Sequence, residues 1–139
     1  IPVLRGGIFF FADIVRELGT SVDIAPVRTW AYNPTQNSAE EEIRVNLDGV
    51  AAERRSVLLV DDICDSGRSL HALTAAFLKA GAHEVRSAVL VRRKLASAPI
   101  VPDYVGFEYE GDEWFVGYGM DDCDRWRNLP GIYIIKQGQ

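Results

Sequence analysis

The run Val57-Leu58-Leu59-Val60, followed at once by Asp61-Asp62, constrains this chain more than any other stretch. Four consecutive apolar residues without polar alternation read as a strand covered on both faces, the pattern of a central strand in a parallel sheet. A third carboxylate, Asp65, comes three residues after the pair, and Ser66-Gly67-Arg68-Ser69 follows it. Helical spacing then begins: Leu70, Leu73, Ala76, Phe77 and Ala80 share one face, up to Gly81. Strand, polar turn and helix in that order make a βα unit, and ligands of open α/β sheets bind beyond the carboxyl ends of the strands.

The turn has the composition of a phosphate cradle. A helix start offers unpaired backbone N–H groups and a partial positive charge. Gly67 lets the backbone approach an anion closely, Ser66 and Ser69 add hydroxyl donors, and Arg68 adds charge. Asp61 and Asp62 are acceptors suited to a pair of sugar hydroxyls or to a divalent metal. Acceptors for a diol beside donors for a phosphate form a layout for a ribose 5-phosphate. Alone, each feature reads as an ordinary turn or a solvated strand end. Three carboxylates and a phosphate-type loop between Asp61 and Ser69 read together as a site.

Other segments support an α/β domain with a parallel sheet. Val3-Leu4 reads as the end of a buried strand entering the turn Arg5-Gly6-Gly7. Ile8, Phe11, Ala12, Val15 and Leu18 predict a helix stopped by Gly19. Strands are expected at 22–27, 43–47, 85–91 and 131–135. Trp30 to Glu42 reads as a long polar loop of the kind that serves as a lid, with Glu40-Glu41-Glu42 as its solvated edge. The tail predicts two short β segments, 104–107 and 114–117, around the turn Gly111-Asp112.

A chain of 139 residues is one domain's worth of sequence and buries roughly two-thirds of the surface its unfolded form exposes. With 47% hydrophobic and 25% charged residues it is neither a disordered chain nor a disulfide scaffold. The net charge of -5 disfavours duplex DNA and anionic membranes as partners. Cys64 and Cys123 form neither a disulfide framework nor a zinc pattern, which fits a reducing, intracellular setting. Ile8-Phe9-Phe10-Phe11-Ala12 is too short to span a bilayer and reads as core packing; the expected location is cytoplasmic. Cys64 reads as a small core side chain, Cys123 as a bystander, and His71 and His83 as structural or exposed residues without a second metal ligand.

Val57 to Ser69 resembles the phosphoribosyl-pyrophosphate motif of the type I phosphoribosyltransferases: four apolar residues, two acids, then acid, Thr or Ser, Gly, and a closing Thr or Ser. Three more stretches are similar to the hypoxanthine-guanine branch of that superfamily. Leu4-Arg5-Gly6-Gly7 resembles its Leu-Lys-Gly-Gly pyrophosphate loop. Pro102-Asp103-Tyr104-Val105-Gly106-Phe107-Glu108 resembles its Pro-Asp-Phe/Tyr-Val-Gly-Phe segment. Trp114 to Asp121 with Arg127-Asn128-Leu129-Pro130 resembles its tail. The resemblance implies a type I phosphoribosyltransferase fold: a central parallel sheet flanked by helices, with a small, partly β hood. It implies a single domain over 1–139, with a core over about 1–101 and a tail contributing to the hood over about 102–139.

It also implies purine salvage: hypoxanthine or guanine plus phosphoribosyl pyrophosphate gives the nucleoside monophosphate and pyrophosphate, with Mg2+. Asp61 and Asp62 match the acids on the ribose hydroxyls and metal, and Asp65 the general base at purine N7. Residues 66 to 69 match the 5-phosphate cradle; Arg5, Gly6 and Arg127 match pyrophosphate contacts. Trp114 matches the aromatic stacked on the purine, Phe115 supplies backbone contacts to its edge, and Asp121 lies near the second metal and the base. The family's Lys that reads the 6-oxo group falls on Arg92, by spacing back from Asp103. Arg5 also replaces a Lys, the lid's Ser-Tyr pair reads Ala31-Tyr32, and one extra residue stands around Glu110-Gly111. Two other readings remain open at this point: a phosphoribosyl-pyrophosphate-binding regulator on the same fold, and a transferase shifted to xanthine or another base. Family members are dimers or tetramers, so a homo-oligomer is expected. The chain opens on Ile1 with Met120 as its single methionine, so part of the family's amino-terminal segment is expected to precede it.

Overall fold

The computed structural model describes residues 1–32, 42–94 and 98–135. Its elements follow the chain as β1 (Val3–Leu4), α1 (Ile8–Glu17), β2 (Val27–Tyr32), β3 (Glu42–Asn46), β4 (Ser56–Cys64), α2 (Arg68–Lys79), β5 (Glu84–Arg93), β6 (Tyr104–Tyr109), β7 (Trp114–Val116) and β8 (Tyr133–Ile135). β4, β5 and β6 pair in parallel, as do β1 and β2, while β3 runs antiparallel to β2. A parallel bridge between Pro2 and Val60 joins the two groups, with the Val60 N–H donating to the Ile1 carbonyl at 2.8 Å. The strands therefore lie in the spatial order β3-β2-β1-β4-β5-β6.

The uninterrupted apolar run of β4 is explained by cover on both sides. Val57 and Leu59 pack with Leu70, Leu73 and Phe77 of α2 in the main core, joined by Val3, Val27, Cys64 and Val89. The alternate residues Leu58 and Val60 turn toward α1. The two helices are seated unequally. α2 buries Leu70, Leu73 and Phe77, whereas α1 buries none of its residues. A cleft of about 600 Å³ lies beneath α1, lined on its side by Phe11, Ile14, Val15 and Leu18.

Two expectations are corrected. The strand expected at 22–27 begins only at Val27 and runs on to Tyr32, into the stretch read as loop. Pro26 has no N–H to give a ladder, whereas the Val27 N–H donates to the Pro2 carbonyl at 3.1 Å, and Val22 and Ile24 are exposed. The two short β segments expected in the tail are present as β6 and β7: β6 joins the main sheet beside β5, and β7 pairs antiparallel with β8. The Phe9-Phe10-Phe11 cluster is not core, because α1 stands over an open cleft; Phe9 is 42% exposed and faces Tyr118 at 6.3 Å between ring centroids. Residues 33–41, which carry most of the expected lid, lie outside the described residues. Neither helix among the described residues is long and apolar enough to cross a membrane.

Candidate active site

β1 and β4 are neighbours whose chains depart in opposite directions, β1 through α1 to β2 and β4 through α2 to β5. This is the switch point at which an open α/β sheet leaves a crevice beyond its carboxyl ends. The crevice is tight enough to dictate glycine. A Cβ on Gly6 would stand 2.2 Å from Asp62 Oδ2, and one on Gly7 would stand 2.7 Å from the Val60 carbonyl oxygen. The Arg5-Gly6-Gly7 turn thus lies directly on the acidic end of β4, and the Leu4–Arg5 peptide is cis.

The two acids at that end are partly satisfied by local backbone. The Asp62 N–H donates to Asp61 Oδ1 at 3.0 Å, and the Ile63 N–H donates to Asp62 Oδ1 at 2.8 Å. Burial, and next the neighbouring Asp62 charge, push the Asp61 carboxyl well above the usual carboxylate range. Burial also raises Asp62, against the opposing pull of its hydrogen bonds and of Arg127. Beyond them the chain turns at Gly67, whose φ of +76° suits glycine, into α2 at Arg68. Ser66 and Arg68 are exposed and Ser69 half-buried around the amino end of that helix.

The tail closes over the crevice through a network of arginines and aspartates. Arg127 Nη2 lies 2.7 Å from Asp121 Oδ1 and 3.2 Å from Asp124 Oδ1, and its Nη1 donates to the Gly119 carbonyl at 2.7 Å. Its Nε is buried and, among the described residues, lacks a hydrogen-bond partner. Arg5 pairs with the same Asp124 carboxylate, which Arg5 first and Arg127 next hold below the usual range. Gly119, at a φ of +103°, sits so close to the Arg5-Gly6-Gly7 turn that a Cβ would fall 1.9 Å from the Gly6 carbonyl oxygen. Trp114 Nε1 donates to the Asp121 carbonyl at 2.8 Å, and the Asp124 N–H to Asp121 Oδ2 at 2.7 Å.

Between these parts lies a cleft of about 110 Å³ lined by Asp62, Ile63, Asp65, Arg93, Trp114, Phe115, Met120 and Asp121. It has an aromatic wall, an apolar floor and carboxylates at its rim, which suits a flat heteroaromatic ring next to a polar sugar. The larger cleft beneath α1 is lined on β4 by Ser56, Val57, Leu58 and Val60, and shares none of these groups.

The phosphoribosyl transferase domain family matches residues 1–122. A hypoxanthine-guanine phosphoribosyltransferase of Bacillus subtilis is 36% identical over 138 residues, covering 98% of this chain and 76% of that protein. The chain belongs to the hypoxanthine-guanine phosphoribosyltransferase family. The Streptococcus mutans member is 31% identical, with 99% of this chain and 76% of that one covered. The crystal structure of a hypoxanthine phosphoribosyltransferase from Staphylococcus aureus superposes with a TM-score of 0.83 at 27% identity, over 97% of this chain and 73% of that one. The type I phosphoribosyltransferase fold expected from the motif is therefore the observed one.

Within this phosphoribosyltransferase, Asp62, Asp65, Trp114, Phe115 and Asp121 share one cleft, and Arg5, Gly6 and Arg127 meet beside it. Arg92 does not line the cleft; its Nη1 lies 3.2 Å from Glu108 Oε1. Arg93 lines it instead, together with Ile63 and Met120, none of which the motif comparison singled out. Strand alternation is the signal that bears on Arg93: neighbours at the end of β5 point to opposite faces, so only one of two consecutive arginines can face the cleft. Cys64 is buried and its thiol is pushed up, by burial first, in keeping with a core role; His71 and His83 are exposed.

Proposed function

We propose that this chain is a purine salvage transferase, a single domain over 1–139. It converts hypoxanthine or guanine and phosphoribosyl pyrophosphate to the nucleoside monophosphate and pyrophosphate. The observation that carries this reading is the shared cleft, where Asp65 and Trp114 lie beside the Asp61-Asp62 strand end. In this reading Trp114 stacks on the purine and Phe115 backbone groups meet its edge. Asp61 and Asp62 hold the ribose hydroxyls. Ser66, Gly67, Arg68 and Ser69 cradle the 5-phosphate at the start of α2. Arg5, Gly6 and Arg127 hold the pyrophosphate.

As the bond from the sugar carbon to pyrophosphate breaks and the bond to the purine nitrogen forms, Asp65 takes the N7 proton, and its charge stabilises the cation-like sugar. Among the described residues no three His, Cys, Asp or Glu side chains converge into a ligand set. Magnesium instead binds through one or two carboxylates with substrate oxygens. Asp61 and Asp62, adjacent carboxylates at a largely buried strand end, fit that role, with Asp121 at a second position. When bound, the metal would supply charge neutralisation for the leaving pyrophosphate. A cytoplasmic location and a homo-oligomeric state, dimer or tetramer, belong to the same proposal and rest on the family.

A second reading, a transferase of shifted base preference, is favoured by one observation: the cation in the cleft is Arg93, while Arg92 is tied to Glu108. Pyrophosphate release with hypoxanthine, guanine, xanthine, adenine and orotate separates the readings. Turnover of hypoxanthine or guanine above the others is expected, xanthine preference would favour the shifted reading, and no turnover with any base would remove both. Asp65→Asn is expected to keep phosphoribosyl pyrophosphate binding and to lose roughly 100-fold or more in kcat.

A further inference from the structure

Arg93 is a buried cation at the mouth of the cleft, its side chain 10% exposed. Such a charge is tolerated only when it is paired and hydrogen-bonded. Each of its three nitrogens has a partner, drawn from two different segments. Nε lies 2.9 Å from Asp65 Oδ1, Nη1 donates to the Gly111 carbonyl at 2.6 Å, and Nη2 donates to the Glu113 carbonyl. The guanidinium also lies over the Phe115 ring, 5.0 Å from its centroid. Asp65, by contrast, has a side chain 59% exposed at the start of its loop. An exposed carboxylate samples several rotamers, and acid–base transfer needs one of them. The planar fork of an arginine can join a carboxylate to two carbonyls in fixed directions, which the single ammonium of a lysine cannot do.

We propose that Arg93 is a positioning residue: it locks the Asp65 carboxylate and the Gly111–Glu113 turn into one unit, so that the proton acceptor and the aromatic wall beginning at Trp114 keep a fixed spacing. This rests on the transferase reading, in which Asp65 is the base. It gives the turn containing the additional residue near Gly111 a task, because that turn supplies two of the three anchors. It also separates the two consecutive arginines: Arg92 braces β6 through Glu108, and Arg93 serves the cleft.

The test is a kinetic double-mutant cycle on the whole chain with hypoxanthine or guanine, whichever turns over faster. Arg93→Met is expected to lower kcat roughly 10- to 100-fold, the scale of a misplaced catalytic group, with KM for phosphoribosyl pyrophosphate within about twofold of wild type. In an Asp65→Asn background the same substitution is expected to change the residual kcat less than about threefold, because its effect passes through the carboxylate. Arg93→Lys, which keeps the charge but not the fork, is expected to fall between Met and wild type. Equal losses in both backgrounds, or an unchanged kcat, would overturn the proposal. If Arg93→Met does not fold, Arg93→Lys carries the cycle, with a loss that persists in Asp65→Asn as the overturning result. A wild-type chain that turns over no base sinks the transferase reading itself, a result distinct from an active wild type with additive losses.

Discussion

Asp61 and Asp62 hold like charges on adjacent residues at a largely buried strand end, an arrangement that costs stability in the free protein. The sign follows from the direction of the shift. Asp61 is raised above its ordinary value near 3.8 by burial first and Asp62 second, so the folded state binds this proton more readily than the unfolded chain. Its contribution to stability is complete below that ordinary value and is lost as pH rises toward the folded one. Asp61→Asn removes the penalty while keeping the shape. We expect it to raise Tm at pH 7 by about 3–5 °C, roughly 1 kcal/mol, and the gain to vanish near pH 4. Calorimetry across that range checks it. If these acceptors hold the ribose as proposed, the same variant raises KM for phosphoribosyl pyrophosphate; a site group that destabilises its own fold is a familiar exchange of stability for activity.

At the scale of elements, the site is built where β1, β4 and the tail meet almost without side-chain volume. Gly119→Ala would place a methyl group 1.9 Å from the Gly6 carbonyl, at a φ of +103° that an L side chain rarely adopts. The backbone must move, and the Arg5-Gly6-Gly7 turn with it. We expect a loss of roughly 2–4 kcal/mol in urea unfolding and a KM for phosphoribosyl pyrophosphate raised more than about tenfold. This contact shows why part of the site escapes pattern reading. The β4–α2 unit is legible because its signals are local: an apolar run, a turn, a 3.6-residue period. The tail from Gly117 to Asn128 has no period at all. It is held by close backbone pairs such as Gly119 with Arg127, and by left-handed residues at Tyr118, Cys123, Asp124 and Trp126, which sequence patterning does not foretell. Its relation to Gly6 is fixed only once the chain has folded. Likewise, Arg92 and Arg93 are equivalent in composition, and strand direction alone tells them apart.

At the scale of the whole molecule, the parallel sheet and its two helices follow from alternation of strand and helix signals, whereas the strand partners do not. Tyr104 to Tyr109 pairs with β5 and not with the segment that follows it, because an edge of the parallel sheet offers a longer ladder than the short β7. One end of this fold is therefore over-determined, with glycine turns, ion pairs and strand ends all closing on the same crevice.

The unequal seating of the two helices has a kinetic meaning for the amide protons. α2 carries Leu70, Leu73 and Phe77 into the core, so its N–H groups are released to solvent only when most of the molecule opens. α1, with no buried residue, is held by much less. In deuterium exchange, α1 amides are expected to label at least about tenfold faster than those of α2, a ratio that mass spectrometry of peptic fragments reads directly. Since α1 begins at the glycine turn that touches Asp62, an anion gripped there would slow labelling along that helix, giving a record of occupancy that needs no turnover.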